Sequence, residues 1–141
     1  MGRIVRCQGV IFKGNRILVL RQYNYERKEE YWMLPGGGLE KGETEKECII
    51  REMKEETNLD VEVNGILFDE PGNGKDVYQR YITFLCVQIP GSVESIGRET
   101  VSYRKILELV WISLSDEEQW NDFILTEKFY PSMKRIKALN K

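Results

Sequence analysis

The stretch from Thr44 to Asn58 constrains the fold most, because it specifies both ends of a helix. Thr44 is followed three residues later by Glu47, the spacing of a capping box, in which each residue satisfies a free backbone N–H of the first turn. Asn58 stands just past the other end, where a left-handed residue is wanted and Asn is the usual substitute for Gly. A helix is therefore predicted over Thr44 to Thr57. With Glu52 at zero on a helical wheel, Glu56 falls near about 40° and Glu55 near about 300°. Ile49, Met53 and Ile50 fall at about 60°, 100° and 160°. Three carboxylates thus share one flank beside an apolar stripe. The helix is expected to bury the stripe and hold the carboxylates at the rim of the core. Arg51, Lys54 and Glu47 take the remaining side.

The rest of the chain reads mostly as strands. Arg3 to Phe12 is rich in β-branched residues, Lys13-Gly14-Asn15 is a turn, and Arg16 to Arg21 is a second strand, so the two form a hairpin. Gln22 to Glu30 is polar and loop-like. Tyr31 to Leu34 is a short strand, stopped by Pro35 and the glycines Gly36 to Gly38. Strand patterns return at Val61 to Phe68, Val77 to Ile89 and Ile106 to Ile112. A turn spans Asp69 to Lys75, and a long polar surface loop spans Gly91 to Arg104. Ser115 caps a short helix, and Pro131 opens a final one ending near Asn140. Closing a core needs both element types, so the class is α/β or α+β. A length of 141 residues suits a single domain, 1–141, without repeats or linkers.

Composition removes several chemistries. The chain has no histidine, which excludes a Ser-His-Asp triad, a Cys-His dyad and any His-ligated metal. The 3 cysteines, Cys7, Cys48 and Cys86, are widely spaced, and reduced buried thiols are expected rather than a disulfide or zinc scaffold. A net charge of −2 gives no basic surface for nucleic acid. No apolar run reaches membrane length and no apolar leader segment is visible, so a cytoplasmic location is expected.

Carboxylates, Lys, Arg, Tyr or a hard metal must then carry any chemistry. Glu52, Glu55 and Glu56 repel one another on their flank. Mg²⁺, which prefers carboxylate oxygens, is the natural counterweight. Arg51 can neutralise part of the charge through Glu47 or Glu55. Solvated acidic helices are common, and it is the context that singles this one out. Leu34-Pro35-Gly36-Gly37-Gly38 precedes it by one turn, where glycine lets backbone approach a ligand and offer a carbonyl as a further oxygen donor.

Together these residues resemble the box of the Nudix hydrolase family, G-x5-E-x7-R-E-U-x-E-E-x-G-U with U aliphatic. It runs here over residues 37–59, from Gly37 through Glu43, Arg51, Glu52, Met53, Glu55 and Glu56 to Leu59. Trp32 to Gly38 is similar to the family's usual lead-in. One position departs: Asn58 stands where the second Gly belongs. The resemblance implies an α/β/α sandwich with a mixed sheet and the box forming loop, helix and loop. It implies Mg²⁺ or Mn²⁺ on Glu52, Glu55, Glu56 and the Gly37 carbonyl, with Arg51 orienting Glu43. The implied reaction is attack of water on a pyrophosphate phosphorus of a small nucleotide. The base would be Glu55 or Glu56, or a carboxylate of the later loop, Glu94 or Glu99.

Residues outside the box bear on the substrate. Arg21 closes the second strand and could meet a phosphate. Tyr81, with Tyr78, could stack on a base, although strand alternation also carries aromatics into cores. Trp32 and Trp111 are assigned to packing. Gln22-Tyr23-Asn24-Tyr25 resembles the ADP-ribose-cleaving branch, while the Pro-Gly-Gly-Gly lead-in is closer to the MutT-like branch. The order of expectation is a (deoxy)nucleoside triphosphate pyrophosphohydrolase, then an ADP-ribose or nucleoside-diphosphate-sugar pyrophosphatase, then a nucleotide-binding module without turnover. Exposed strand edges offer a route to a homodimer.

Overall fold

The computed structural model describes residues 4–72, 77–98, 100–101, 103–118, 120, 136 and 138. Strands β1 (Val5–Lys13) and β2 (Arg16–Asn24) form the expected hairpin, with Phe12 opposite Ile17 and Lys13 opposite Arg16. Below that turn they part. β1 runs parallel to β6 (Arg80–Gln88) from Val5↔Arg80 to Ile11↔Cys86 and also pairs with the three-residue β4 (Gly36–Gly38). β2 pairs antiparallel with β8 (Arg104–Ser113) and with β3 (Glu29–Met33). β5 (Val61–Pro71) closes one edge against β6, and β7 (Thr100–Val101) the other against β8. The described residues thus form an eight-stranded mixed sheet in the order β5-β6-β1-β2-β8-β7, with β3 and β4 off that path. The mixed sheet agrees with the expectation.

Helix α1 (Glu45–Thr57) starts and stops as read. Thr44 Oγ1 accepts the Glu47 N–H at 3.1 Å, Glu47 Oε1 accepts the Thr44 N–H at 2.8 Å, and Asn58 is left-handed at φ 61°. Alternation in β1 divides the core. Cys7 and Ile11 face α1 and pack with Cys48, Ile49, Met53, Leu59, Ile82 and Phe84. Val10 faces the other way, into a cluster that includes Val19, Leu20, Tyr81, Ile106, Trp120 and Ile136. The three cysteines are buried and free, as expected.

Four points differ from the sequence reading. Residues 22–30 are not a loop: β2 continues to Asn24 and β3 begins at Glu29, leaving a turn of four residues. Ile50 is 41 % exposed, outside the stripe; Glu52 and Glu56, at 7 % and 5 %, are buried in its place. Two of the three carboxylates, Glu52 and Glu56, therefore lie under the rim, while Glu55 stays on it. The loop from Gly91 contains β7 and closes against the helix instead of lying free over the surface: the N–H groups of Ser95, Gly97 and Arg98 donate to the carbonyls of Thr57, Glu56 and Glu55. β5 runs on to Pro71, into the expected turn. The final helix proposed from Pro131 lies outside the described residues, apart from helical Ile136. Residues 117 and 118 are helical, after Ser115 as expected. Among the described residues no helix is long and apolar enough to cross a membrane.

Candidate active site

The glycine loop and the helix meet edge to edge. The Gly36 N–H donates to Glu56 Oε1 at 2.8 Å. A Cβ on Gly37 would run into the Glu52 carboxylate, so any side chain here would displace Glu52. The Gly37 carbonyl is turned toward α1, where the Cys48 thiol donates to it at 3.8 Å.

Arg51 organises the exposed side of the site. Its Nε and Nη2 clasp the two Glu43 oxygens at 3.0 and 2.8 Å. Its Nη1 reaches Glu52 at 3.0 Å, Glu55 at 3.3 Å and Glu40 at 3.6 Å, and Nη2 also donates to the Gly38 carbonyl. The guanidinium fork matches a carboxylate in two places at once. It holds Glu43 well below the usual carboxylate range, at about 2. Arg51 and Glu43 are thus in direct contact through both carboxylate oxygens.

The buried side is a charge balance of Glu52 and Glu56 against Arg6 and Arg104, each no more than 7 % exposed. Arg104 Nη2 donates to Glu56 Oε2 at 3.2 Å, and its Nη1 to the Arg98 carbonyl at 3.0 Å. Arg6 donates to the Leu34 carbonyl at 3.0 Å and to Gln8, which in turn donates to Thr83. Burial, and then the neighbouring Glu52, push the Glu56 carboxyl up to about 7, against the pull of Arg104 and Arg6. Burial likewise raises Glu52.

Two cavities adjoin at Tyr103 and Arg104. The larger, about 310 Å³, is lined by Arg6, Gln22, Gly36, Glu56 and Tyr78 among others. The smaller, about 170 Å³, is lined by Glu40, Arg51, Glu52, Glu55 and Arg98. Glu43, Arg51, Glu52, Glu55, Glu56 and Gly37 are therefore brought together. Arg21 and Tyr81 are not part of this group. Arg21 lies on the opposite face of β2, paired with Glu30 and Glu108. Tyr81 is fully buried in the core, edge-on to Tyr78, which does line the larger cavity. Glu94 accepts from the Trp111 indole, which lowers its pKa, and lines neither cavity. Glu99 lies outside the described residues. Arg6, Arg98, Tyr103 and Arg104 escaped the sequence reading, and Gln22 was noted only within Gln22-Tyr23-Asn24-Tyr25. For Arg6 a signal existed, a lone charge inside an apolar strand.

Among the described residues no three acidic or thiol side chains converge tightly enough to hold a cation as they stand. The Arg51 and Arg104 guanidiniums hold them instead. The donor set itself fits a hard divalent ion: three carboxylates and a backbone carbonyl, all oxygen, with Glu52 and Glu56 raised first by burial and then by a neighbouring carboxylate.

Comparison with known proteins agrees with this geometry. A 93-residue stretch is 34% identical to the ADP-ribose pyrophosphatase of Methanocaldococcus jannaschii, covering 64% of this chain and 54% of that protein. A 70-residue stretch is 30% identical to the RNA pyrophosphohydrolase of Erythrobacter litoralis, covering 49% of this chain and 43% of the relative. The matches thus span about half the length of these relatives. The fold superposes on the MutT protein from Methanosarcina mazei Go1 with a TM-score of 0.66 at 23% identity, over 98% of this chain and 95% of that one. The family model of the NUDIX domain matches residues 3–133, and the chain belongs to that family.

Proposed function

We propose that this chain is a divalent-metal-dependent hydrolase that splits the phosphoanhydride of a nucleoside diphosphate joined to another group. The carrying observation is the carboxylate flank of buried Glu52 and Glu56 with half-buried Glu55, set against Gly37 and facing two cavities that share Arg104. Glu52, Glu56 and the Gly37 carbonyl would hold Mg²⁺ or Mn²⁺, with Glu55 at its side. When bound, the ion supplies Lewis-acid polarisation of the phosphate oxygens and a lower pKa for water.

The chain's own groups do the rest. Glu55, the most exposed of the three carboxylates, takes the proton of the attacking water. Arg98 and Arg104 meet the negative charge that builds on the phosphates. Arg51 contacts Glu43, Glu52 and Glu55 together and so positions all three against the site.

The relative named for ADP-ribose moves ADP-ribose and nucleoside-diphosphate sugars ahead of the (deoxy)nucleoside triphosphates suggested by the glycine lead-in. A nucleotide panel with Mg²⁺ or Mn²⁺, and again with EDTA, tests the reading. Metal-dependent release of a nucleoside monophosphate with a sugar phosphate is expected. Pyrophosphate as co-product would favour the triphosphates. No turnover with either metal would overturn the enzyme reading in favour of a binding module.

A further inference from the structure

Alternate residues of a strand share a face, and β2 turns Leu20, Gln22 and Asn24 together into the larger cavity. Gln22 is 4 % exposed. Its Nε2 donates to the Met33 sulfur, a weak acceptor. Its Oε1 has no partner among the described residues, yet it is not sealed off from the cavity. Asn24 is complementary: its Oδ1 is taken by the Arg27 N–H at 2.8 Å, while its Nδ2 has no partner among the described residues. The β2–β8 register shifts between Arg21 and Gln22 because Leu107 of β8 is the extra, unpaired residue, so the alternation of β2 itself is unbroken. An amide oxygen open to a cavity takes its donor from whatever occupies that cavity.

We infer that the larger cavity is a nucleobase subsite selective for adenine, with Gln22 as the residue that reads the base. Gln22 Oε1 accepts from the exocyclic amino group, and Asn24 Nδ2 donates to the neighbouring ring nitrogen. A purine carrying a carbonyl oxygen there sets lone pair against lone pair. Tyr78 walls the same space, and the diphosphate leads past Arg104 toward Glu52 and Glu55. This rests on the hydrolase reading and adds the base to it.

The test compares ADP-ribose with its inosine counterpart, which differs at that amino group, in equilibrium binding and in turnover. The native protein should prefer ADP-ribose by about tenfold or more. Gln22→Met, close in shape, should bring the ratio to within about twofold without lowering the melting temperature. Asn24→Asp keeps the acceptor for Arg27 and removes the donor, and should narrow the ratio too; it decides the matter if Gln22→Met melts early. Equal affinity of the native protein for both compounds, an unchanged ratio in the variants, or binding of neither overturns the inference. Selective binding without turnover supports the subsite and overturns the hydrolase reading; turnover without base preference does the reverse.

Discussion

Glu56 is held between a cost of burial and two arginines, and the balance is measurable without any substrate. Its carboxyl titrates at about 7 in the fold, against an ordinary 4.5. Between those values the folded chain carries more protons than the unfolded one, so this contribution is fully present below pH 4.5 and lost as pH rises through 7. The window corresponds to at most about 3 kcal/mol. In EDTA, urea midpoints of the native protein should therefore fall between pH 4.5 and 7.5, and Glu56→Gln should flatten that fall. An equal slope in both proteins would remove Glu56 as its source. The position of Glu56 on the helix was legible in the sequence. Its burial was not, because the partner that compensates it, Arg104, lies 48 residues away and is recognised only when β8 crosses the site.

The helix was legible down to its caps because its signals are local. Thr44, Glu47 and Asn58 act within four residues of their own positions. Asn58 replaces the expected glycine and takes φ 61°. Asn58→Gly should thus leave stability unchanged or raise it slightly, while Asn58→Ala should cost about 1 kcal/mol, both read by urea denaturation. The ends of β2 and β3 were hidden because their turn, 25–28, contains neither Gly nor Pro, and Lys28 carries the positive φ of 55° itself. Ile50 was misplaced because the face of α1 turned to the sheet is centred on Cys48, Ile49 and Met53, and Ile50 falls beyond its edge. The docked loop from Ser95 to Arg98 is the element that sequence periodicity could least reveal. A Cβ on Gly97 would meet the Glu55 carbonyl at 2.1 Å, a backbone atom that cannot step aside. Gly97→Ala should push the loop, with Arg98 and the Arg104 contact, off the last turn of α1. Turnover of ADP-ribose should drop at least about tenfold, with a smaller change in melting temperature; an unaltered rate would show that this docking does not position the site.

At the scale of the molecule, the sheet brings four separate stretches to one place. β1 supplies Arg6, β2 supplies Gln22, the glycine loop and α1 supply the carboxylate frame, and the segment at 98–104 supplies two arginines. Only the third was contiguous in the chain, which is why the motif was readable and the substrate-facing residues were not. Arg21 illustrates the difference: one position along β2 decides between the cavity face and the opposite one. The proposed reaction centre is the carboxylate flank. Its most direct test is the initial rate of AMP formation from ADP-ribose with Mg²⁺, in the native protein and in Glu56→Gln at matched folding. A loss of about hundredfold in the variant, with EDTA abolishing the native rate, is the predicted result. Equal rates in the two proteins, or a native rate indifferent to EDTA, would contradict it.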